Sequence, residues 1–359
     1  MARKGTSDLL FIFLQHADVS RTPPAGGRGT HRASGDVSVL TRNVTGSMSN
    51  HRRRLRVILN GKSAGEADVE KAFDSLRAGG HRVEVEVTSE NGDARRFARA
   101  AAQDGVDSVV AAGGDGTLNE VVDGLVHAGS LEEIPSVGVL PLGTANDFAE
   151  TCGIPVGSPL AALELTTDVE PSLIDVGEVN DACFINVASG GFGSRVTAET
   201  PDDVKEALGR LSYLLTGVRR FNEFSAERGE VRGPDFAWQG SFYVLAVGNG
   251  RRAGGGINLC PDAYLDDGLL DVVVLPEIPP EERLKKLLDL LAEGLAVVER
   301  EMFYRRVSWL EVSAPAGLYF NLDGEPIEGT SFRFKVLPKR IRVHLPPGAP
   351  LVGATGRTE

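Results

Sequence analysis

Asp323 and Glu325 stand two positions apart around Gly324, directly after a strand-like run that holds Tyr319, Phe320 and Leu322. Carboxylates spaced this way can accept a proton from an attacking hydroxyl and hold a divalent cation beside it. The same residues also make a good β-turn, because Asp-Gly is a strong hairpin signal. A glycine string offers complementary chemistry. Val109-Val110-Ala111-Ala112 runs into Gly113-Gly114-Asp115-Gly116 and then into Thr117-Leu118-Asn119-Glu120. A strand, a Gly-rich turn and a helix start, in that order, aim backbone N–H groups and a positive dipole end at an anion. Glycine lets the backbone approach that anion closely. Asp115 would repel a phosphate, so it suits a cation or the forming of a turn. The plain alternative is a tight strand-to-helix turn with Asp115 as its cap.

These residues must be positioned by alternating elements. Residues 55–59 read as a buried strand, 67–76 as a helix ended by Gly79-Gly80, 82–87 as an alternating strand and 93–103 as a helix. A strand at 108–112 leads into the glycine string, 117–126 is helical, and 137–140 is the next strand. This rhythm predicts a parallel α/β sheet, whose ligands bind beyond the carboxyl ends of the strands. Near Pro155 the texture changes. Short strand-like runs recur at 172–179, 183–188, 241–247, 269–275, 309–314, 317–321 and 332–337, with helical patterns only at 204–221 and 281–298. A mainly antiparallel β domain is expected there. The division is then a disordered basic extension at 1–54, an α/β domain at 55–154 with a returning strand near 340–347, and a β domain at 155–339.

Composition narrows the function classes. The net charge of −12 disfavours a broad nucleic-acid surface. Residues 1–54 hold nine Lys/Arg against three Asp/Glu, +6, so the rest of the chain carries −18. A basic tail on an acidic body can meet acidic lipids or nucleic acid, or be simply solvated. Met48 precedes the ordered pattern and is a candidate start. Three widely spaced cysteines, Cys152, Cys183 and Cys260, fit reduced thiols and a cytoplasmic setting better than disulfides or zinc. No run approaches the ~18 apolar residues of a membrane span, and residues 9–14 lack a signal-peptide cleavage pattern.

Five strings in order carry a family resemblance. They are Gly113-Gly114-Asp115-Gly116-Thr117, then Pro141 to Ala149 (PLGTANDFA), Ser189-Gly190-Gly191-Phe192-Gly193, Asn249-Gly250-Arg251 with its three following glycines, and Phe320-Asn321-Leu322-Asp323-Gly324-Glu325-Pro326. The set resembles the diacylglycerol-kinase-like lipid kinases, within them the bacterial YegS-like branch, from about residue 59 to 347. The resemblance implies an N-terminal Rossmann-like α/β domain, a C-terminal antiparallel β-sandwich domain and ATP in the cleft between them. It implies an ATP- and Mg²⁺-dependent transfer of the γ-phosphoryl group to a hydroxyl of a membrane lipid, such as phosphatidylglycerol or diacylglycerol. Gly114, Asp115, Gly116, Thr117, Leu118, Asn119 and Glu120 would form the nucleotide loop, Thr144 would touch phosphate, and Thr88 would touch the nucleotide or merely end its strand. Asn60 stands where many relatives have Asn-Pro, but here Gly61 follows it, which leaves its role near the phosphates open. Glu325 would accept the proton, and Asp323 would bind Mg²⁺ or orient Glu325. The carbonyls of Tyr264 and Leu269 with the Asp267 side chain would ligate a metal, catalytic or structural, although Asp267-Gly268 is also a plain turn.

Two other classes compete with a lipid kinase. One is a small-molecule kinase of the same superfamily, such as an NAD kinase. The other is a non-catalytic nucleotide or lipid sensor, whose expected mark, a lost acid, is missing here because Asp115, Asp323 and Glu325 are all present. Peripheral membrane contact follows from the lipid reading. Arg219, Arg220, Arg251 and Arg252 are candidates for head groups or phosphates, or are simply solvated. The acceptor lipid and the oligomeric state, a homodimer among the options, stay open.

Overall fold

The computed structural model describes residues 52–191, 226–277 and 302–353. The basic extension up to residue 51, the start at Met48, Phe192 and Gly193, Arg219 and Arg220, and the helical patterns at 204–221 and 281–298 lie outside the described residues.

Strands β1 (Arg54–Leu59), β2 (Arg82–Val87), β3 (Ser108–Gly113) and β4 (Ser136–Pro141) pair in parallel in the order β4-β3-β1-β2. Every residue of β3 and β4 is buried, as a parallel sheet covered on both faces requires. The covering helices are α1 (Ala67–Ala78), α2 (Asp93–Gln103) and α3 (Asp115–Val126), joined by the short α4 (Asp147–Cys152) and by α5 (Pro159–Asp168). In α2, Ala94, Ala98 and Ala101 form one buried stripe at helical spacing, and the helix packs on α3. The register sets Gly113 opposite Pro141, so both glycine-rich turns leave the sheet side by side at its carboxyl edge.

The second unit is antiparallel and β-rich. It contains β5 (Ser172–Val179), β6 (Ala182–Phe184), β7 (Val187–Gly191), β8 (Glu227–Gly233), β9 (Phe236–Gly248), the small pair β10 (Arg252–Ala253) and β11 (Ile257–Asn258), β12 (Leu270–Pro276), β13 (Phe303–Val307), β14 (Trp309–Leu322) and β15 (Glu325–Val343). Their main path runs β13-β12-β9-β7-β14-β15. Phe320 is the hub of the core, with its ring edge-on to Phe332 and Phe334 at 4.9 and 5.1 Å. The last strand spans both units. It begins at Glu325, and its final residue Val343 pairs in parallel with Val137 of β4.

The structure differs from the sequence reading in several places, among them the unexpected strands β8 and β13 and the joining of the run at 332–337 with the returning strand in β15. The run at 183–188 is broken into β6 and β7. The runs at 309–314 and 317–321 form one strand, β14, whose pairing shifts register between Ser313 and Leu318. The α3 helix starts at Asp115, two residues early, so most of the expected loop is helix. Finally, α5 follows the texture change at Pro155 yet packs on β4, where a Cβ on Gly138 would stand 2.1 Å from Thr166 Oγ1.

Candidate functional site

The two glycine turns press backbone to backbone. Leu142 donates its N–H to the Gly113 carbonyl at 2.8 Å. A Cβ on Gly143 would lie 2.4 Å from the Gly114 Cα, so this contact admits glycine alone. Asn146, in the left-handed region at φ 52°, locks the second turn. Its Oδ1 accepts the Gly143 N–H at 2.9 Å and its Nδ2 donates to the Gly143 carbonyl at 2.7 Å. Between the turns lies a pocket lined by Gly113, Gly114, Asp115, Leu118, Pro141 and Phe148 among others.

A polar chain runs from this pocket into the β-rich unit. Asp115 begins α3, and its carboxylate accepts the N–H groups of Asp147 and Phe148 at 3.0 Å each, capping α4. Asn186 donates its Nδ2 to Asp115 Oδ1 at 3.3 Å. The N–H groups of Ile185 and Asn186 donate to Asp323 Oδ2 at 2.7 and 3.1 Å. Asp147 in turn accepts the N–H groups of Gly255 and Gly256 at 2.8 and 2.6 Å. Burial pushes the Asp323 carboxyl up to about 7, with the neighbouring Asp115 charge adding to the shift and the N–H groups of Asn186 and Ile185 opposing it.

Asp323 and Gly324 form the two-residue turn between β14 and β15, with φ of 50° and 110°. Positive φ at both positions matches a type I′ hairpin. The turn abuts the start of α3, where a Cβ on Gly116 would stand 3.6 Å from the Asp323 carbonyl oxygen. Glu325 follows, half-buried, with Oε2 accepting Asn91 Nδ2 at 3.0 Å. The structure therefore gathers Asp115, Gly116, Asp323 and Glu325 at one place.

The other candidates divide. Asn60 donates its Nδ2 to Thr117 Oγ1 at 3.2 Å, and the Thr88 hydroxyl accepts the Gly61 N–H at 3.3 Å. Accepting that bond leaves the Thr88 proton available to donate. Thr144 is exposed in the second turn. Thr117, Leu118, Asn119 and Glu120 are buried. Glu120 Oε2 accepts the Arg95 N–H at 3.3 Å and ties α3 to α2, whereas Asn119 Oδ1 is buried without a hydrogen-bond partner among the described residues. Reading the sequence missed Asn91, Asn186 and Asp147 as site residues. Asn186 and Asp147 stood beside or inside quoted strings, but Asn91 carried no local signal beyond that of a turn former.

The loop with Tyr264, Asp267 and Leu269 reaches this cluster through Asp175 and Asn249: the Gly268 N–H donates to Asp175 Oδ2 at 2.6 Å, and Asn249 Nδ2 donates to the carbonyls of Asp175 and Ile185 at 3.1 and 2.9 Å. Asp267 Oδ1 accepts the Leu269 N–H at 3.0 Å, and Oδ2 is held by Arg306. Burial raises the Asp267 carboxyl above its usual value, and Arg306 opposes the shift. Arg306 Nε also reaches Asp271 Oδ2 at 3.5 Å. Asp271 accepts the Tyr304 hydroxyl and is raised to about 6 by burial. The guanidinium of Arg251 lies 5.1 Å from the Tyr264 ring centroid. A carboxylate with two carbonyls is an all-oxygen donor set that suits a hard cation, which would compete with Arg306 for Asp267.

Comparisons with known proteins identify the family. Residues 54–179 match the family model of the diacylglycerol kinase catalytic domain, and residues 186–345 match the YegS C-terminal NAD kinase beta sandwich-like domain. A protein of Pseudomonas aeruginosa named "Probable lipid kinase YegS-like" is 50% identical over 300 residues, covering 83% of this chain and 96% of that protein. One of Pseudomonas fluorescens with the same name is 47% identical over 302 residues, covering 84% and 98%. The crystal structure of a diacylglycerol kinase from Bacillus anthracis superposes with a TM-score of 0.61 at 20% identity, over 83% of this chain and 98% of that one, a likeness of fold. The chain thus belongs to the diacylglycerol kinase catalytic domain family, in the branch whose curated members are named probable lipid kinase YegS-like.

Proposed function

We propose that the chain is an ATP-dependent lipid kinase that moves the γ-phosphoryl group onto a hydroxyl of a membrane lipid, a diacylglycerol or phosphatidylglycerol being the leading acceptors. The observation that carries this reading is the abutment of the Asp323–Gly324 turn on the first turn of α3. It sets a carboxylate pair against a backbone built to receive phosphate. In this reading the first unit is Rossmann-like and the second a β-sandwich, with ATP between them. Gly114, Gly116 and the start of α3 receive the phosphates, Thr144 and Thr88 supply hydroxyls, and Asn60 braces the first turn of α3 through Thr117.

The lipid oxygen attacks the γ-phosphorus, its proton passes to Glu325, and the bond from that phosphorus to the β–γ bridging oxygen breaks, releasing ADP. Glu325 is the base in this reading, as the family resemblance implies, and among the described residues its Oε2 accepts Asn91 Nδ2. Asp323 orients the turn that carries Glu325, through Ile185 and Asn186. A divalent cation, Mg²⁺ in this reading, would neutralise phosphate charge near Asp323, and a second would sit on Asp267 with the carbonyls of Tyr264 and Leu269. No helix among the described residues is long and apolar enough to cross a membrane. The lipid is then met from outside the bilayer core, by peripheral contact.

The test is transfer of label from γ-labelled ATP, with Mg²⁺, to lipids in mixed micelles, with Glu325→Gln alongside. Glu325→Gln should lower kcat by about 10²–10⁴-fold with ATP affinity unchanged. Label in a water-soluble acceptor would favour the NAD-kinase-like alternative, and ATP binding without any transfer would favour a sensor.

A further inference from the structure

Glu325 begins a long strand of the β-rich unit, yet its hydrogen-bond partner belongs to the other unit. Asn91 lies between β2 and α2, 234 residues away in sequence, and donates Nδ2 to Glu325 Oε2 at 3.0 Å. A side chain that is exposed on a loop would gain little by such a reach if the loop moved freely.

The loop is braced. Asp93 Oδ2 accepts the N–H groups of Ser89 and Glu90 at 2.9 and 3.2 Å and the Ser89 hydroxyl at 3.0 Å. Its Oδ1 takes the Arg96 guanidinium at 2.6 Å. These donors, the Ser89 N–H first and Arg96 next, hold the Asp93 carboxyl well below the usual carboxylate range. Gly92 closes the turn at φ 86° with open space around it, so the position demands glycine for its backbone and not for room. At its other end the loop begins at Thr88, whose hydroxyl is tied to the Gly61 N–H beside Asn60.

We propose that Asn91 is a positioning residue for Glu325, one that fixes the carboxylate of the β-rich unit against the nucleotide-binding unit. The inference rests on the reading of Glu325 as proton acceptor. Asn91 is a neutral donor, so it holds one oxygen without bringing a positive charge that would weaken the carboxylate as a base. Its bond engages Oε2 alone. The same braced loop presents Thr88, so nucleotide contact and base orientation depend on one rigid segment.

The test is a double-mutant cycle of Asn91→Ala and Glu325→Gln, assayed with γ-labelled ATP and dioleoylglycerol or dioleoylphosphatidylglycerol in mixed micelles. Asn91→Ala should lower kcat about 10-fold, the low end for a hydrogen bond to a charged group. The KM for ATP and the melting temperature should be unchanged, and Asn91→Gln, which keeps a donor, should recover part of the loss. On the Glu325→Gln background Asn91→Ala should do nothing more. A second arm needs no acceptor: the side-chain amide resonances of Asn91 should shift in Glu325→Gln. Wild-type kcat for Asn91→Ala with Glu325→Gln inactive would overturn this inference alone, as would multiplicative losses or unmoved Asn91 resonances. Wild-type turnover in Glu325→Gln would overturn the base reading and this inference with it.

Discussion

Asp115 Oδ2 accepts the backbone N–H of Asp147 at 3.0 Å, and so the first residue of α3 caps the first residue of α4. The glycine string and the Pro141–Ala149 string are thereby one object, and an acid expected to repel phosphate is occupied by two backbone N–H groups and by Asn186. Asp115→Ala should lose this cap, at about 1 kcal/mol, and loosen the turn that holds Gly143. The expected result is a melting temperature lowered by a few degrees together with weaker ATP binding, read by calorimetry on the same samples. Unchanged ATP affinity would separate the cap from the nucleotide site.

Gly143→Ala tests the turn from the other side. The new Cβ would meet the Gly114 Cα at 2.4 Å, a backbone atom that cannot swing aside. Overpacking of this kind costs about 1–3 kcal/mol. Since both turns are pushed apart, ATP binding should fall more than stability does. Titration calorimetry and thermal melting make the comparison.

The Asp323 carboxyl, raised to about 7 by burial, gives a pH prediction. The unfolded chain releases this proton near pH ~3.9. Between pH ~4 and 7 the native state therefore binds more protons than the unfolded state, and stability falls as pH rises through that window. Asp323→Asn removes the effect. Asparagine tolerates the positive φ of 50° at this position, and its carbonyl oxygen can still accept from Ile185 and Asn186. The variant should therefore gain stability relative to wild type at pH 8 and little at pH 4, while losing turnover. Denaturant midpoints at the two pH values check it.

The parallel unit was readable because its signals are local. Residues 82–87 alternate and 93–103 carry an alanine stripe, and both elements have those bounds in the structure. What escaped depends on distant chain. The α5 helix lacks a clean apolar period and is fixed by Thr166 fitting over Gly138. Pro315 and Ala316 separate the two runs expected at 309–314 and 317–321, yet the chain there only shifts the register of β14 on β15. The acids of the site stood out by type and spacing. Asn91 did not, since a lone asparagine reads as a turn former until the fold brings a carboxylate to it.

Arg306 lies against two acids of the β-rich unit. It is the shared cation of Asp267 and Asp271, two carboxylates that burial pushes above their usual values. Arg306→Gln leaves both without it. Stranding a buried charge costs about 3–5 kcal/mol, and because Arg306 is one-third exposed, at 33%, the loss should be nearer to ~2 kcal/mol. If Asp267 with the carbonyls of Tyr264 and Leu269 is a cation site, removing the competitor should also open it. Mg²⁺ should then raise the melting temperature of Arg306→Gln more than that of wild type, and Asp267→Asn in the same background should abolish the difference. An equal response of Arg306→Gln and wild type to Mg²⁺ would leave Arg306 as a counter-ion alone and remove Asp267 from the metal reading.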